Sequence, residues 1–287
     1  MINYSFIIPH KNCPNLLKRC VDSIPERDDI QIIVVDDNSD EDKKPSFERM
    51  GLETVYLDVE HSNGAGHARN VGLDKAEGKW LLFPDSDDYY VEGFMEIIDG
   101  YAEKEKDVVY FNFEYRNGNS GEILPPLHFS IEMADYDGSK KRAEAVRYHH
   151  NVPWTKMVKR ELLDIHHIRF EEVPNGNDIF FSLMVGYFCY DSIEVIKKPL
   201  YVYLRNDNSI TSKKATAYSS FCVIRHSIQL NRFYHFIGHN EWRWPTLKLI
   251  LYHIKLCGIP FLYLLLRKTC YLINHREDWI SILKKNG

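Results

Sequence analysis

Two short apolar runs in the first hundred residues each end in a group of aspartates. The run Ile30–Val35 is followed by Asp36-Asp37-Asn38-Ser39, and the run Trp80–Pro84 is followed by Asp85-Ser86-Asp87-Asp88. Short apolar runs bounded by turn residues are typical of buried strands. Because both acidic groups lie where a buried strand ends, this feature constrains the fold more than any other.

Strands and helices alternate along this part of the chain. Apolar runs predict four strands, at 4–8, 30–35, 54–57 and 79–83. Helical spacing of apolar residues predicts two helices, at 16–24 and 67–75. The alternation predicts an α/β domain with a mostly parallel sheet. Ligands bind at the carboxyl ends of the strands in such sheets, so we expect the two acidic groups to belong to one site.

The pattern of the second half is less regular. Further strands are predicted at 108–115, with a hairpin partner toward Ile123, and at 193–202, interrupted by Pro199. Helices are predicted at 140–148 and 178–187, and loops at 117–140 and 207–213. Beyond about Ala215 the spacing is helical to the end of the sequence.

Composition and charge are those of a globular protein. The 287 residues are 44% hydrophobic and 27% charged, and the net charge of −5 argues against a nucleic-acid partner. The charge is unevenly spread: residues 243–287 contain eight basic and two acidic side chains, or +6, which leaves −11 for residues 1–242. A basic tail on an acidic body suggests that the tail has a binding partner.

Cysteine usage and the N-terminus indicate the cell compartment. The six cysteines show no CxxC spacing, which favours reduced thiols in the cytoplasm. The chain enters a predicted strand at once, without a basic segment and a long apolar one, so we expect no signal peptide. The thirteen histidines form no HExxH or His/Cys pattern, although a single histidine completing a metal shell stays open.

The run from Asp85 to Asp88 can hold a divalent cation. Asp85 and Asp87, two positions apart in a turn, can face one ion, and Asp88 is close enough to contribute. Carboxylate oxygens suit Mg²⁺ or Mn²⁺. The alternative is a solvated turn, since aspartate is common in turns. The position directly after a buried strand favours the cation site.

Other polar residues near the predicted edge have open interpretations. Asp37 either ends its strand as a turn or helix-capping residue, or accepts from a nucleobase N–H or ribose hydroxyl. Gly64, Gly66 and Gly72 allow close approach of the backbone, and Arg69 can meet a phosphate. No GxGxxG or GxxxxGK[ST] motif is present, so dinucleotide and P-loop sites are not supported.

In this order and spacing, the segments resemble the family 2 glycosyltransferases with the GT-A fold, of the kind that builds bacterial polysaccharides. The matching stretches are 5–9, 33–39, 66–73 and 82–88. The resemblance implies a Rossmann-like α/β fold with a mixed, mostly parallel sheet flanked by helices and a helical C-terminal extension. It implies a domain over 1–214, with a nucleotide-sugar half (1–110) and an acceptor half (111–214), and an extension over 215–287.

The resemblance also implies a donor site. Its donor-binding residues are Pro9, Asp37, Arg69, Asp85, Ser86 and Arg205. Asp37 is expected to contact the base of the nucleotide. Asp85 and Asp87 are expected to hold Mn²⁺ or Mg²⁺ with the nucleotide, and whether Asp87 or Asp88 is the nearer metal ligand stays open. Arg205 belongs to a segment that, in the family, closes over the donor.

The acceptor side of the resemblance is less complete. Trp154 and Lys156 match an acceptor-side segment, and Trp154 either stacks on an acceptor sugar or packs in the core. Asp178 matches the catalytic base, with a helix N-cap as the alternative. Asn177 stands where the family usually has glutamate, which is a departure from the pattern.

The implied reaction is an inverting transfer of sugar from a nucleoside diphosphate, with UDP expected, to a hydroxyl of a glycan or lipid-linked acceptor in surface polysaccharide synthesis. Two alternatives are a sugar nucleotidyltransferase and a degenerate, non-catalytic subunit that binds sugar nucleotides. The short phosphate-loop candidate after Pro9 is poor in glycine, which argues against the first. The presence of four aspartates (Asp37, Asp85, Asp87 and Asp178) argues against the second.

The C-terminal region has two interpretations. Leu249–Leu266 is strongly apolar but contains Lys255 and Pro260, and its uninterrupted part is shorter than the roughly 20 residues that span a bilayer. It is either a buried helix pair or an element that lies on an anionic membrane surface, since aromatic residues accompany the basic ones. The second interpretation places the protein in the cytoplasm, at the inner membrane face.

Overall fold

The computed structural model describes residues 1–173, 175–206 and 215–274, from residue 269 onward by the backbone alone. The chain divides into two compact units, Met1–Ser209 and Ile210–Gly287. The predicted loop at 207–213 lies outside the described residues. The predicted domain boundary between residues 214 and 215 lies at the end of the same undescribed segment. That boundary stays a prediction.

Within the described residues, eight strands of the first unit form one sheet in the order β3-β2-β1-β4-β7-β6-β8-β5. The strands are β1 (Tyr4–His10), β2 (Ile30–Asp36), β3 (Leu52–Tyr56), β4 (Trp80–Leu82), β5 (Tyr89–Tyr90), β6 (Val108–Asn117), β7 (Lys156–Lys159) and β8 (Ile193–Arg205). Strands β1 to β4 pair in parallel, β7 is antiparallel to both its neighbours, and β8 is parallel to β6. The predicted mixed, mostly parallel sheet is confirmed.

Helices connect and flank the strands. They are α1 (Pro14–Asp22), α2 (Gly64–Lys75), α3 (Phe94–Ala102), α4 (His128–Ala134), α5 (Lys140–His149), α6 (Arg160–Ile165) and α7 (Ile179–Phe188). A short 3₁₀ turn spans Glu41–Lys43. Proline at the first position of α1 suits a helix start, because its missing N–H has no partner there in any case. Helix α7 is apolar on every face and almost wholly buried.

One large core lies on the sheet face that α1 and α3 cover. All seven residues of β1 are buried, which explains its continuous apolar pattern. Tyr90 and Phe94 stack with ring centroids 4.2 Å apart, and Phe6 meets both rings edge-on. Such aromatic pairs add to the stability that burial of their area already gives.

Several boundaries differ from the sequence-based prediction. Helix α2 begins at Gly64 rather than at about His67, because Asp37 accepts from backbone N–H groups at its N-terminus. The predicted loop 117–140 contains α4, because Phe129 stacks on Phe113 and so anchors a helix over the sheet. Strand β8 continues past Pro199, since an irregularity in its pairing with β6 accommodates the missing N–H.

The second unit is helical, as predicted. It contains α8 (Ala217–Phe236), a 3₁₀ turn (Asn240–Trp242) and a helical run, α9 (Thr246–Asn274), that breaks at Gly258, where φ is 62°. Thr216 and Ser219 form a capping box at the start of α8. Phe261 packs between the two long helices in a small apolar cluster. Among the described residues, the stretch Asn240–Lys268 has the length and apolar composition that a membrane crossing requires.

Candidate active site

The acidic turn after β4 is fastened to β8. The backbone N–H of Asp85 donates to the Tyr201 hydroxyl at 3.0 Å, and that hydroxyl donates to Asp88 Oδ2 at 3.0 Å. The N–H of Leu204 donates to Asp88 Oδ1 at 2.8 Å. Asp88 is fully buried, and burial together with the charge of Asp87 holds its pKa well above its usual range. Since both oxygens of Asp88 are engaged, the structure gives it a structural role in place of the predicted metal contact.

Asp85 and Asp87 are the carboxylates of the turn that remain available to a ligand. The side chain of Asp85 is 31% exposed. Asp87 accepts from Asn206 Nδ2 at 3.0 Å, and its carbonyl accepts from Arg19 at 2.6 Å. Burial, and next the charge of Asp85, raise the pKa of Asp87. A cation or a set of hydrogen-bond donors between these two carboxylates would therefore relieve a repulsion that the fold itself builds in.

The donor set fits a hard divalent cation in one particular way. Among the described residues, no group of three or more His, Cys, Asp or Glu side chains is arranged to hold a metal ion. Mg²⁺, however, is usually held by one or two carboxylates, with substrate phosphates and waters completing its shell. Asp85 and Asp87 supply such a pair, so the residues present suit an ion that arrives with a phosphate-bearing ligand. The metal contact itself stays a prediction.

Asp37 lies at the junction of β2 and α2. Its Oδ1 accepts from the N–H groups of Asn63 and Gly64 at 3.1 and 3.3 Å, and its Oδ2 lies 3.6 Å from Lys11 Nζ. Asp37 therefore accepts hydrogen bonds at the N-terminus of α2, as the helix-capping interpretation expects. Only 6% of Asp37 is exposed, so contact with a nucleobase, which stays a prediction, would have to use Oδ2. Pro9 is buried within β1 opposite Val35, and its contact with a donor stays a prediction.

A buried pair that the sequence reading missed supports these loops. His10 Nδ1 lies 2.7 Å from Asp36 Oδ2, and His10 Nε2 accepts from the N–H of Cys13 at 3.1 Å. Asp36 also accepts from the N–H and hydroxyl of Ser39. Both ring nitrogens of His10 are therefore engaged, one by a carboxylate and the other by the backbone at the start of α1. The two adjacent aspartates at positions 36 and 37 could have indicated this pair. Because successive side chains of a strand point to opposite faces, the two carboxylates could not both face the same site.

Arg69 joins the two halves of the first unit. It is 5% exposed, and its Nη2 lies 2.5 Å from Asp85 Oδ1 while its Nη1 donates to Asn177 Oδ1 at 2.9 Å. The guanidinium carbon lies 5.3 Å from the centroid of the Phe170 ring. The predicted donor-side arginine therefore also contacts the residue that precedes Asp178.

Asp178 lies at the N-cap position of α7 but makes no side-chain capping hydrogen bond. The N-cap alternative therefore does not account for its side chain. Burial raises the pKa of Asp178, and Arg69 is the largest influence that lowers it, followed at a smaller level by Lys156. A carboxyl group with a raised pKa, close to cationic groups that favour its ionised form, has the properties of a general base. Its role as the base stays a prediction.

The two acceptor-side candidates, Trp154 and Lys156, are both buried. Trp154 is 4% exposed and stacks on Tyr201 and Tyr203, with centroids 5.2 and 5.1 Å away, so it packs in the core. Lys156 is fully buried and donates from Nζ to the carbonyl of His150 at 2.8 Å. Burial lowers its pKa to about 7. Neither side chain is placed to meet an acceptor in this structure.

The two remaining donor-side candidates, Ser86 and Arg205, differ in exposure. Ser86 is largely buried in the acidic turn, with its Oγ 3.3 Å from Cys13 Sγ. Arg205 ends β8 with an exposed side chain, and its carbonyl accepts from Gly118 N–H at 2.9 Å. The segment that would follow it over a donor falls largely outside the described residues. Both assignments stay predictions.

Comparison with known proteins identifies the class. Residues 5–165 match the model of Glycosyl transferase family 2, and the chain belongs to this family. The resemblance seen in the sequence is thereby confirmed. The match ends with α6, so it covers the sheet edge with both acidic groups but not Asp178.

Individual relatives support the same assignment. Glycosyltransferase GlyG of Streptococcus pneumoniae serotype 4 is 28% identical over 223 residues, which is 72% of each protein. EpsH of Bacillus subtilis is 26% identical over 220 residues, 73% of this chain and 62% of EpsH, so the match leaves more than a third of EpsH uncovered. The crystal structure of Staphylococcus aureus TarS 1–349 with UDP-GlcNAc superposes with a TM-score of 0.61 at 21% identity, over 80% of this chain and 67% of that one. This similarity confirms the GT-A fold.

Proposed function

We propose that this protein transfers a sugar from a nucleoside-diphosphate sugar to a hydroxyl group of a glycan or lipid-linked acceptor, with inversion at the anomeric carbon. The observation that carries the proposal is the link Asp85–Arg69–Asn177 beside Asp178, because it joins a carboxylate of the expected donor site to the expected base. TarS, which shares the fold, was crystallised with UDP-GlcNAc, and this supports a UDP-sugar as donor.

The proposed chemistry gives the proton transfer to Asp178. Asp178 takes the proton of the acceptor hydroxyl as the acceptor oxygen forms its bond to the anomeric carbon. On the opposite side, the bond from that carbon to the diphosphate oxygen breaks, and the nucleoside diphosphate leaves with the electron pair. General-base assistance of this kind contributes about 10² to 10⁴ in rate. The raised pKa of Asp178 makes its carboxylate a stronger proton acceptor than an ordinary carboxylate.

The leaving diphosphate needs compensation for its growing negative charge. Asp85 and Asp87 would hold Mg²⁺ or Mn²⁺ together with the diphosphate, and the bound ion supplies that charge neutralisation. Arg69, which the fold already places against Asp85, orients the carboxylate toward the donor side. The remaining rate acceleration would come from holding the donor and the acceptor next to each other, in the nucleotide-sugar half and the acceptor half of the first unit.

The family assignment favours this reaction over the alternatives. A sugar nucleotidyltransferase would belong to a different family from the one that the chain matches. A non-catalytic subunit would not need a carboxyl group whose pKa is raised by desolvation and lowered by the charge of a donor-side arginine. The names of relatives, among them a poly(ribitol-phosphate) β-N-acetylglucosaminyltransferase, support a role in the synthesis of bacterial surface polymers.

The helical second unit suggests where the reaction takes place. Between Glu241 and Glu277 the chain has no acidic residue and six basic ones. Large apolar side chains are exposed along the same stretch, among them Leu247 at 71%, Ile259 at 81% and Leu266 at 67%. Exposed apolar side chains accompanied by basic residues suit an anionic bilayer surface. This supports a peripheral position on the inner membrane face, where a lipid-linked acceptor would be available.

A donor screen tests the proposal. Purified full-length protein is incubated with UDP-, GDP- and dTDP-sugars, Mn²⁺ or Mg²⁺, and an extract of bacterial lipid-linked glycans, and release of nucleoside diphosphate is followed. We expect release with at least one donor that depends on the acceptor. If no donor is bound or consumed with metal and acceptor present, the proposed function is wrong.

A further inference from the structure

The segment before Asp178, described at residues 170–173 and 175–177, is fastened to one face of α2. Asn70 exchanges two hydrogen bonds with the backbone of Phe170, at 2.9 and 3.0 Å. Glu172 accepts from Asn63 at 3.0 Å, and His67 lies 3.0 Å from the same carboxylate. Each of these contacts lies upstream of Asn177, so the segment is already held before the chain reaches Asp178.

The backbones of α2 and this segment are in direct contact at Gly66. A Cβ atom at Gly66 would overlap the carbonyl oxygen of Glu171 and would lie 2.9 Å from the Cβ of Asn177. Glycine is therefore required here by close approach. The N–H of Glu171 donates to the carbonyl of Asn177 at 3.1 Å, which closes the segment on itself.

Within the described part of this segment, the side chain of Asn177 accepts a hydrogen bond from Arg69, the arginine that also holds Asp85 of the acidic turn. Its Oδ1 accepts from Arg69 Nη1, and the other arm of the same guanidinium holds Asp85. The next residue is Asp178, whose side chain makes no capping hydrogen bond of its own. The position of Asp178 therefore depends on how its neighbour is held.

We propose that Asn177 is a positioning residue, whose side-chain carbonyl, held by Arg69, fixes Asp178 relative to Asp85. A neutral amide serves this purpose differently from the glutamate usual at this place. A carboxylate would compete with Asp85 for the charge of Arg69, whereas the amide accepts a hydrogen bond and leaves that charge to the acidic turn and to Asp178. The inference rests on the proposed transfer reaction for its consequence, but not for the contact itself.

The test compares two asparagines of one segment. Asn177→Ala removes the acceptor of Arg69, and Asn175→Ala, which removes an amide with no contact to Arg69, is the matched control. A misplaced catalytic group can cost about 10²-fold in rate, so we expect Asn177→Ala to lower kcat by at least about tenfold. The KM for the donor should stay within about twofold of the control, because Asp85 and Asp87 are unchanged.

Hydrogen exchange of the free protein provides a readout that needs no reaction. Asn177→Ala should speed exchange at the Glu171 amide by about tenfold, because the segment loses its tie to Arg69. Asn175→Ala should leave it unchanged, and Asn177→Asp, which keeps an oxygen acceptor, should restore the slow rate. Equal exchange in the two alanine variants, or no restoration by aspartate, overturns the inference. The inference is also overturned if Asn177→Ala exchanges faster at the Glu171 amide but has the same kcat as Asn175→Ala. If the wild type transfers no sugar, the proposed function fails, and the exchange measurement alone decides whether Asn177 holds the segment.

Discussion

The hydroxyl of Tyr201 donates a hydrogen bond to Asp88 Oδ2 across 3.0 Å, between a strand and the acidic turn that faces it. The same hydroxyl accepts from the N–H of Asp85, so one oxygen atom holds both ends of the turn. Both Tyr201 and Asp88 are fully buried. Asp85 and Asp87 therefore project from a turn whose shape is fixed by the core, independently of any ligand.

Removal of this hydroxyl should loosen the turn. Tyr201→Phe keeps the ring in its stack with Trp154 but leaves a carboxyl oxygen and an N–H without their partner. Buried groups left in this way cost about 1–3 kcal/mol each, so we expect a loss of about that size in the free energy of unfolding, measured by denaturant titration. Tyr115→Phe, whose ring stacks on Tyr203, is the matched control. Equal stability of the two variants would show that the Tyr201 hydroxyl does not hold the turn.

Asp178→Asn should separate binding from transfer. The amide cannot take a proton, so kcat should fall by about 10² to 10⁴ while the donor dissociation constant stays within about twofold. Asp164→Asn, on the surface of α6, should leave both unchanged. Because the pKa of Asp178 is raised, kcat/KM of the wild type should decline with falling pH already above the usual range of a carboxyl group. Transfer by Asp178→Asn at the rate of Asp164→Asn would remove Asp178 as the base.

The sheet was predictable because its central strands are buried on both sides. Strands β1 and β2 read as continuous apolar runs, since every or nearly every residue in them is buried. Strand β7 escaped prediction for the opposite reason: it is four residues long, and lysines stand at both of its ends. Helix α4 was taken for a loop, because its burial depends on Phe113, a residue of a distant strand. Contacts of this kind leave no periodicity in the local sequence.

The site was predictable where position along a strand decides it. Asp37 and Asp85 follow strands that the pattern identified, and Arg69 lies on the helix between them. The functions of Asp88 and Trp154 could not be read in this way, because burial turns an acidic or aromatic residue from a ligand contact into a structural one. The ligand contact and the structural role are distinguished by the tertiary contacts of the side chain, and both Asp88 and Trp154 contact Tyr201.

Lys156 should make the stability of the protein depend on pH. Burial lowers its pKa from 10.5 to about 7, so between those values the unfolded chain holds a proton that the folded protein releases. The free energy of unfolding should then rise with pH, by up to about 1.4 kcal/mol per unit, relative to Lys156→Met. Denaturant titrations of both proteins at pH 7 and pH 9 measure the difference, with the exposed Lys141→Met as control. A difference that is constant or shrinks as pH rises contradicts a lowered pKa.

The second unit should bind anionic membranes through its basic, apolar helix. Replacement of the exposed Lys248 and Lys255 by glutamate reverses two charges there, and each basic residue near such a surface contributes about 1 kcal/mol. We expect binding of the full-length protein to vesicles with anionic lipid to weaken by at least about tenfold, as measured by co-sedimentation. Lys141→Glu in the first unit is the control. Binding that is equal in both variants, or equal to neutral vesicles, contradicts the membrane contact.

Donor binding tests the central claim most directly. The measurement is calorimetric titration of the full-length protein with UDP-GlcNAc and the other nucleotide sugars in the presence of Mn²⁺, comparing the wild type with Asp85→Asn and with Asp22→Asn on the surface of α1. We expect saturable binding of a nucleotide sugar to the wild type and to Asp22→Asn. For Asp85→Asn we expect binding weaker by at least about tenfold, because the variant loses one of the two carboxylates that would hold the divalent cation together with the donor diphosphate. Binding of equal strength in the two variants, or no binding of any nucleotide sugar by the wild type, would contradict a donor site at the acidic turn.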